Sequence, residues 1–314
     1  MSLSKDLINK FSYITSMAAA ATFAYIGKKD KIAADKAAVD MMRREINKLN
    51  INGKIVIGEG ELDEAPMLYI GENLGSGQGV SLDIAVDPVE GTNLVANNLP
   101  GGLSVIAVAE KDNLFNAPET YMNKIAFGKD VPKSALDLDF SIEKNIKNLA
   151  DVKNKDIKDI TACLLDRPRH NELIKELNKL NVNLKLITDG DVSGALLVTE
   201  EKHNVDIFLG IGGGPEGVLA ASALDAYGCN FQGRLIFEKE DEISRAKKMG
   251  ISDLKRKYEI NEIIRGDSIF CATGITDGDL VKGVKKMDEH YLTETLVTHK
   301  NSNIDIIKNK VTIA

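Results

Sequence analysis

The stretch Asp83-Ile84-Ala85-Val86-Asp87-Pro88-Val89-Glu90-Gly91-Thr92 constrains the chain most tightly. Its first half is a short apolar run with β-branched residues, the pattern of a buried strand. The run is expected to stop at Asp87-Pro88, because proline fixes its own φ and lacks an N–H. The turn that follows carries two carboxylates, Asp87 and Glu90. Gly91 lets the backbone bend sharply or come close to a ligand, and Thr92 sits where a helix N-cap would begin. Acids gathered at a strand end repel one another unless something positive lies among them. Hard oxygen donors of this kind suit Mg²⁺ or Mn²⁺. The plainer alternative is a surface turn with solvated acids.

A second acidic segment weighs against that alternative. A strand at 54–57 runs into Gly58-Glu59-Gly60-Glu61-Leu62-Asp63-Glu64-Ala65-Pro66, with four acids in six positions. Glycines on either side of Glu59 imply close backbone approach. Two acid-rich turns, each after a strand, are more economically read as one shared metal site than as two unrelated solvated loops. Asp35 falls in the first turn of a helix expected over 32–49, after the loop that ends at Lys31. Taken alone, Asp35 is a favourable charge near a helix N-terminus and Lys31 a solvated lysine.

The chain has 314 residues, 43% hydrophobic and 28% charged, enough for one large or two ordinary domains. Its three cysteines argue for a reducing, cytoplasmic setting and against a disulfide scaffold. A net charge of −7, with no block of like charge long enough to be a tail, argues against nucleic-acid binding through a broad basic face. The alanine-rich run at 17–26 is too short to span a bilayer and reads as the middle of a helix over 4–26, so no membrane role is expected.

Along the chain, a short helical piece is expected at 93–98 and a strand at 103–109. Residues 129–155 are polar and weakly periodic, and a domain boundary is placed at their end. The expected domains are 1–155, an α+β domain with a mixed sheet and the metal-binding acids, and 156–314, an α/β domain that completes the site. In the second, strands at 160–165, 184–187 and 205–211 alternate with helices, the pattern of parallel strands joined by crossovers. Each strand runs into a polar cluster: Asp166-Arg167-Pro168-Arg169-His170, Asp189-Gly190-Asp191, and Gly212-Gly213-Gly214-Pro215-Glu216-Gly217. Ligands bind at such strand ends in open α/β sheets. Arg167 and Arg169 at a helix entrance suit a phosphate clamp, with ordinary surface charge as the alternative. A late strand is expected at 268–275.

The glycine run also matches a dinucleotide fingerprint, Gly212-x-Gly214-x-x-Gly217, with Glu238 about 20 residues on. A nucleotide-dependent oxidoreductase is therefore the competing reading. Pro215 removes an amide from the anion-facing turn and Glu216 adds negative charge to it, which fits a metal ligand better. A metal- or anion-binding regulatory module without turnover is a third reading.

The turn Asp87-Pro88-Val89-Glu90-Gly91-Thr92 resembles the signature of the lithium-sensitive, metal-dependent phosphatases, although the second acid there is often aspartate. The longer runs around Gly58-Glu59-Gly60-Glu61, Arg167-Pro168-Arg169-His170, Asp189-Gly190-Asp191, Gly210 to Val218 and Ala272 to Leu280 resemble class II fructose-1,6-bisphosphatases, over nearly the whole chain. Gly214 stands where alanine is expected. The resemblance implies a layered αβαβα sugar-phosphatase fold of the α/β class. It implies hydrolysis of fructose 1,6-bisphosphate in gluconeogenesis, with sedoheptulose 1,7-bisphosphate as a related substrate, by a homo-oligomer (dimer or tetramer). It implies two or more Mn²⁺ or Mg²⁺ ions, one held by Asp35 and Glu59 and another by Asp87, Glu90 and Glu216. Lys31, Glu90, Gly91, Thr92, Tyr121, Arg167, Pro168, Arg169, Asp189, Gly190, Asp191 and Gly213 would face the substrate. Asp63, aided by Thr92, would orient or deprotonate the attacking water, with Glu61 as the competing candidate.

Overall fold

The computed structural model describes residues 3–58, 68–300 and 304–313. The chain divides into two compact units, residues 1–116 with 264–314, and residues 117–263.

The first unit opens with helix α1 (Lys5–Thr22), whose N-cap Ser4 accepts the Leu7 N–H at 3.3 Å. Helix α2 (Lys31–Ile46) is capped by Asp30, which accepts the Ala33 N–H at 2.9 Å. Strand β1 (Ile51–Ile57), the short β2 (Asn73–Leu74), β3 (Val80–Glu90), helix α3 (Thr92–Ala96) and β4 (Leu103–Glu110) follow. The chain then builds the second unit, in order β5 (Tyr121–Phe127), α4 (Ile142–Lys153), β6 (Thr161–Leu165), α5 (Asn171–Lys179), β7 (Asn183–Ile187), α6 (Asp191–Leu196), β8 (Ile207–Gly213), α7 (Gly214–Ala226), β9 (Asn230–Ile236), α8 (Glu240–Lys248), β10 (Lys257–Glu259) and α9 (Ile260–Ile263). It returns to the first unit with β11 (Ser268–Gly274), β12 (Lys285–Met287), β13 (His290–His299) and β14 (Asp305–Val311).

The first unit's sheet runs β12-β13-β11-β4-β3-β1-β2, with β14 also on β13. β1 and β3 are parallel, and β3, β4, β11 and β13 alternate in direction. Phe11, Ile14, Ala18 and Ala19 of α1 and Ala38, Met42 and Ile46 of α2 bury against Ile55, Ile84, Ile106 and Cys271 of the sheet. Alanines let α1 lie close to the strands. A hydroxyl seam satisfies its polar positions, with Thr15 and Thr295 each 2.7 Å from the Thr273 hydroxyl.

The second unit's sheet runs β10-β9-β5-β8-β6-β7. β6 is parallel to β7 and to β8, as the alternating pattern predicts. β5 breaks the pattern. It lies antiparallel between β8 and β9, so this sheet is mixed. Ile125, Phe127, Ile146, Leu149, Leu164, Leu177 and Ile207 form its core.

The chain is thus an α/β protein with two mixed sheets. Two expectations differ from it. Residue 155 falls inside the second unit, because β5 pairs with β8 and β9 and carries residues 117–155 with it. The strand expected at 268–275 belongs to the first unit, because β11 pairs with β4 and β13. Among the described residues no helix is long and apolar enough to cross a membrane.

Candidate active site

In the first unit, β3 does not stop at Asp87. It continues to Glu90 through a register shift against β4, where Asp87 faces Val105 and Glu90 faces Leu103. This bulge accommodates the proline without breaking the ladder, and bulges of this kind re-aim side chains. Glu90 is buried and Asp87 partly buried. Gly91, at φ +77°, is itself the N-cap of α3, so Thr92 is the first helical residue. A side chain on Gly91 would press on Leu94. The third acid of the stretch, Asp83, is structural: it accepts the N–H groups of Asn113 and Leu114 at 3.0 and 3.2 Å.

Helix α2 is fastened to this turn. Gly27 and Lys29 donate their N–H groups to the carbonyls of Val95 and Ala96, both at 2.9 Å. Lys31 is exposed at the first position of α2 and Asp35 partly buried one turn further in, beyond the first turn expected for it. Glu59, Glu61 and Asp63 lie outside the described residues. The chain on either side of them is well fixed. A Cβ on Gly58 would run into the carbonyl of Leu68, which is the close approach its glycine implies. Ile55 exchanges backbone hydrogen bonds with Gly71 and Glu72, and Arg43 grips both oxygens of Glu72 at 2.7 and 3.1 Å.

The second unit gathers most of the remaining candidates around the ends of β6, β7 and β8. Arg167 donates to the Thr188 carbonyl at 2.5 Å and to Asp189 at 3.3 Å. Arg169 donates to the Ile211 carbonyl at 2.9 Å, and its guanidinium lies over the Tyr121 ring, 4.8 Å from the centroid. Pro168, between the two arginines, opens the short 3₁₀ turn Pro168–His170. That turn is held by His170, which is buried. Its Nε2 accepts the Ile211 N–H at 2.8 Å, so Nδ1 carries the proton and donates to the Leu165 carbonyl at 2.6 Å. Burial holds the imidazole below its ordinary pKa, so it is neutral at physiological pH.

Gly190, at φ +88°, caps α6 and brings Asp191 to its first position. Asp191 is paired with Lys124, a residue that the sequence reading passed over. The signal was present: a lone cation in a strand whose neighbours are Met122, Ile125, Ala126 and Phe127. Lys124 also donates to the Gly213 carbonyl at 2.8 Å. Glu216 stands in the first turn of α7. Burial raises its carboxyl pKa, while nearby Lys124 pulls it back down.

The glycines of the run are explained by these side chains. A Cβ on Gly212 would overlap the Asp191 carboxylate, and one on Gly213 the Glu216 carboxylate. One on Gly217 would crowd Met122 and Lys124. The turn is shaped around acids and a lysine, which accounts for the dinucleotide-like spacing without a pyrophosphate. A Cβ on Gly214 would come within 3.1 Å of the Thr120 carbonyl, so the alanine expected there needs only small shifts.

Among the described residues no group of three or more His, Cys, Asp or Glu side chains is arranged to hold a metal. Two acid oxygens are nevertheless suited to a further positive or hydrogen-bonding partner. Asp191 Oδ1 and Glu216 Oε2 are both buried and without a hydrogen bond, and such atoms are costly unless a ligand supplies what they lack.

The family described as bacterial fructose-1,6-bisphosphatase, glpX-encoded, matches residues 5–310. The Escherichia coli protein named fructose-1,6-bisphosphatase 1 class 2 is 40% identical over 312 residues, covering 95% of this chain and 92% of that protein. A Prochlorococcus marinus protein, named D-fructose 1,6-bisphosphatase class 2/sedoheptulose 1,7-bisphosphatase, is 41% identical over 309 residues, covering 94% and 92%. Among solved structures, an extragenic suppressor protein from Pyrococcus furiosus is 15% identical, covers 62% of this chain and 68% of its own, and has a TM-score of 0.31, too slight a likeness to add weight. With a family match running almost from end to end, the chain belongs to the glpX-encoded bacterial fructose-1,6-bisphosphatase family.

Proposed function

We propose that this chain hydrolyses fructose 1,6-bisphosphate to fructose 6-phosphate and inorganic phosphate. Family membership carries that reading, and the second unit's arrangement of Tyr121, Arg167, Arg169, Asp189, Asp191 and Glu216 supports it. Gluconeogenesis is the setting in which such a reaction serves.

Asp35, Glu59, Asp87, Glu90 and Glu216 are proposed to bind two or more Mn²⁺ or Mg²⁺ ions. Bound divalent ions offset phosphate charge and make water more acidic. The protein's own part is positioning. Arg167, Arg169 and Tyr121 form a cationic, partly stacked wall that suits a sugar phosphate. Asp189, Gly190, Asp191 and Gly213 offer acceptors and close backbone for sugar hydroxyls, and Lys31, Glu90, Gly91 and Thr92 face the substrate. Asp63, with Thr92, orients the attacking water and takes its proton, and Glu61 is the other candidate for that step.

The chain also acts on sedoheptulose 1,7-bisphosphate in this proposal, as the name of the Prochlorococcus marinus relative states for that protein. It works in the cytoplasm as a homo-oligomer, dimer or tetramer, which light scattering on the purified protein measures. The deciding experiment is phosphate release from a panel of sugar phosphates, with Mg²⁺, with Mn²⁺ and with chelator. Release from fructose 1,6-bisphosphate that chelator abolishes is expected. Release from no sugar bisphosphate under any metal would refute the assignment.

A further inference from the structure

Lys124 is 1% exposed, among the most completely buried large side chains of the protein. It lies in the middle of β5, in a strand that is otherwise mostly apolar. Three other elements accommodate it. Its ammonium pairs with Asp191 Oδ2 at the start of α6 and donates to the Gly213 carbonyl at the end of β8. Its stem runs past Gly217 of α7, where a Cβ would approach Lys124 Cδ to 3.3 Å. Burying an ammonium is costly, and apolar replacements of buried ion pairs are often no less stable. A lysine here therefore calls for a use beyond packing.

The use follows from how it treats the two carboxylates beside it. It takes one oxygen of Asp191 and leaves Oδ1 buried without a hydrogen bond. Glu216 also keeps a buried oxygen, Oε2, without one. Lys124 and Asp191 together are neutral, so a dication gains little by approaching Asp191 and is repelled by the ammonium. The spare oxygen of Asp191 remains a good acceptor for an uncharged O–H. Glu216, whose buried Oε2 has no hydrogen bond, is left for a cation.

We propose that Lys124 is a positioning residue that divides the labour between two adjacent carboxylates. By neutralising Asp191 it reserves that side chain for a sugar hydroxyl and leaves Glu216 to the metal. The inference rests on the substrate class given above.

Calorimetric titration tests it on the intact protein, with Mn²⁺ alone and with fructose 6-phosphate at saturating Mn²⁺. Lys124→Met is expected to weaken fructose 6-phosphate about tenfold or more, the worth of a charge-assisted hydrogen bond. Mn²⁺ affinity should hold or rise, because the lost charge was repelling it. Asp191→Asn should weaken fructose 6-phosphate similarly, and the double variant no more than the worse single one, since the pair acts as a unit. Parallel loss of Mn²⁺ and sugar affinity in Lys124→Met overturns the division, as does unchanged sugar affinity. If Lys124→Met does not fold, Asp191→Asn decides alone: intact fructose 6-phosphate binding there ends the proposal. Failure of the substrate reading looks different, since the wild-type protein would then bind Mn²⁺ and not fructose 6-phosphate.

Discussion

In the first unit the acids of interest are near neighbours in sequence, Asp87 and Glu90 on either side of one β-bulge. In the second, Asp191 and Glu216 stand at the starts of two different helices and meet a lysine from a strand that runs against β8. Local spacing shapes the first cluster, and tertiary pairing shapes the second. The first needs one strand, its turn and the neighbouring strand β4 that sets the bulge. The second exists only when β5, β7 and β8 are all in register.

The largest expected effects ask whether both clusters serve one reaction. Asp63→Ala should keep the fold and lose most turnover, and an unchanged rate at saturating metal would reject its role. Glu90→Ala and Glu216→Ala should each lower kcat by about 10²–10³, the scale on which single charged groups at a reacting phosphate act. Glu216→Ala should also shift the Mn²⁺ concentration needed for half-maximal rate upward. If that midpoint stays put while Glu90→Ala moves it, the second unit's acid is no metal ligand and the likeness between the clusters fails.

Stability comes next. Lys124→Met leaves Asp191 and Glu216 without their buried cation, and breaking such a pair costs about 3–5 kcal/mol. Urea denaturation of the wild type and the variant measures it. A cost within experimental error would mean that the carboxylates relax into water, which the burial of Asp191 speaks against.

The imidazole of His170 is held below its ordinary value near 6.5 by burial. Between that depressed folded value and 6.5, the unfolded chain binds the extra proton. The stability that His170 contributes is therefore complete above pH 6.5 and is lost as pH falls through that window. Protonation also removes the acceptor of the Ile211 N–H. Hydrogen exchange at pH 5.5 and 7.5, corrected for intrinsic rates, should show protection falling around Ile211 while β3 keeps its own. His170→Gln should flatten the pH dependence. Equal loss in both units would locate the acid sensitivity elsewhere.

The same contrast governs what could be read from the amino-acid order. The Asp87 to Thr92 turn was legible because a strand, a proline and a glycine lie within ten residues. Even there the bulge was missed, since it depends on the pairing of β3 with β4. The arginine pair, the Asp189 turn and Glu216 were legible as polar clusters at strand ends. Lys124 stood out as a lone cation in an apolar strand, but its partners were not legible, because they lie 67 and 89 residues away. Nor was the return of β11 to the first sheet, since an apolar run such as Ser268–Gly274 does not state which sheet it joins.

Helix starts give the smallest effect and the finest separation between scaffold and site. Helices α1, α2 and α4 begin behind Ser4, Asp30 and Ser141, whose side chains cap the first turn. Helices α3, α6 and α7 begin behind Gly91, Gly190 and Gly213, with no side-chain cap. A side-chain cap satisfies amides that a ligand would otherwise meet, whereas a glycine start lets backbone and substrate come close. Ser141→Ala should therefore cost about 1 kcal/mol in stability and leave kcat and KM untouched. Gly190→Ala forces a Cβ into left-handed backbone at a cost of about 1–2 kcal/mol. It should also raise KM for fructose 1,6-bisphosphate, because Asp191 moves with it. If Gly190→Ala lowers stability and leaves KM alone, its glycine is a helix cap and nothing more, and the site in the second unit begins at Asp191.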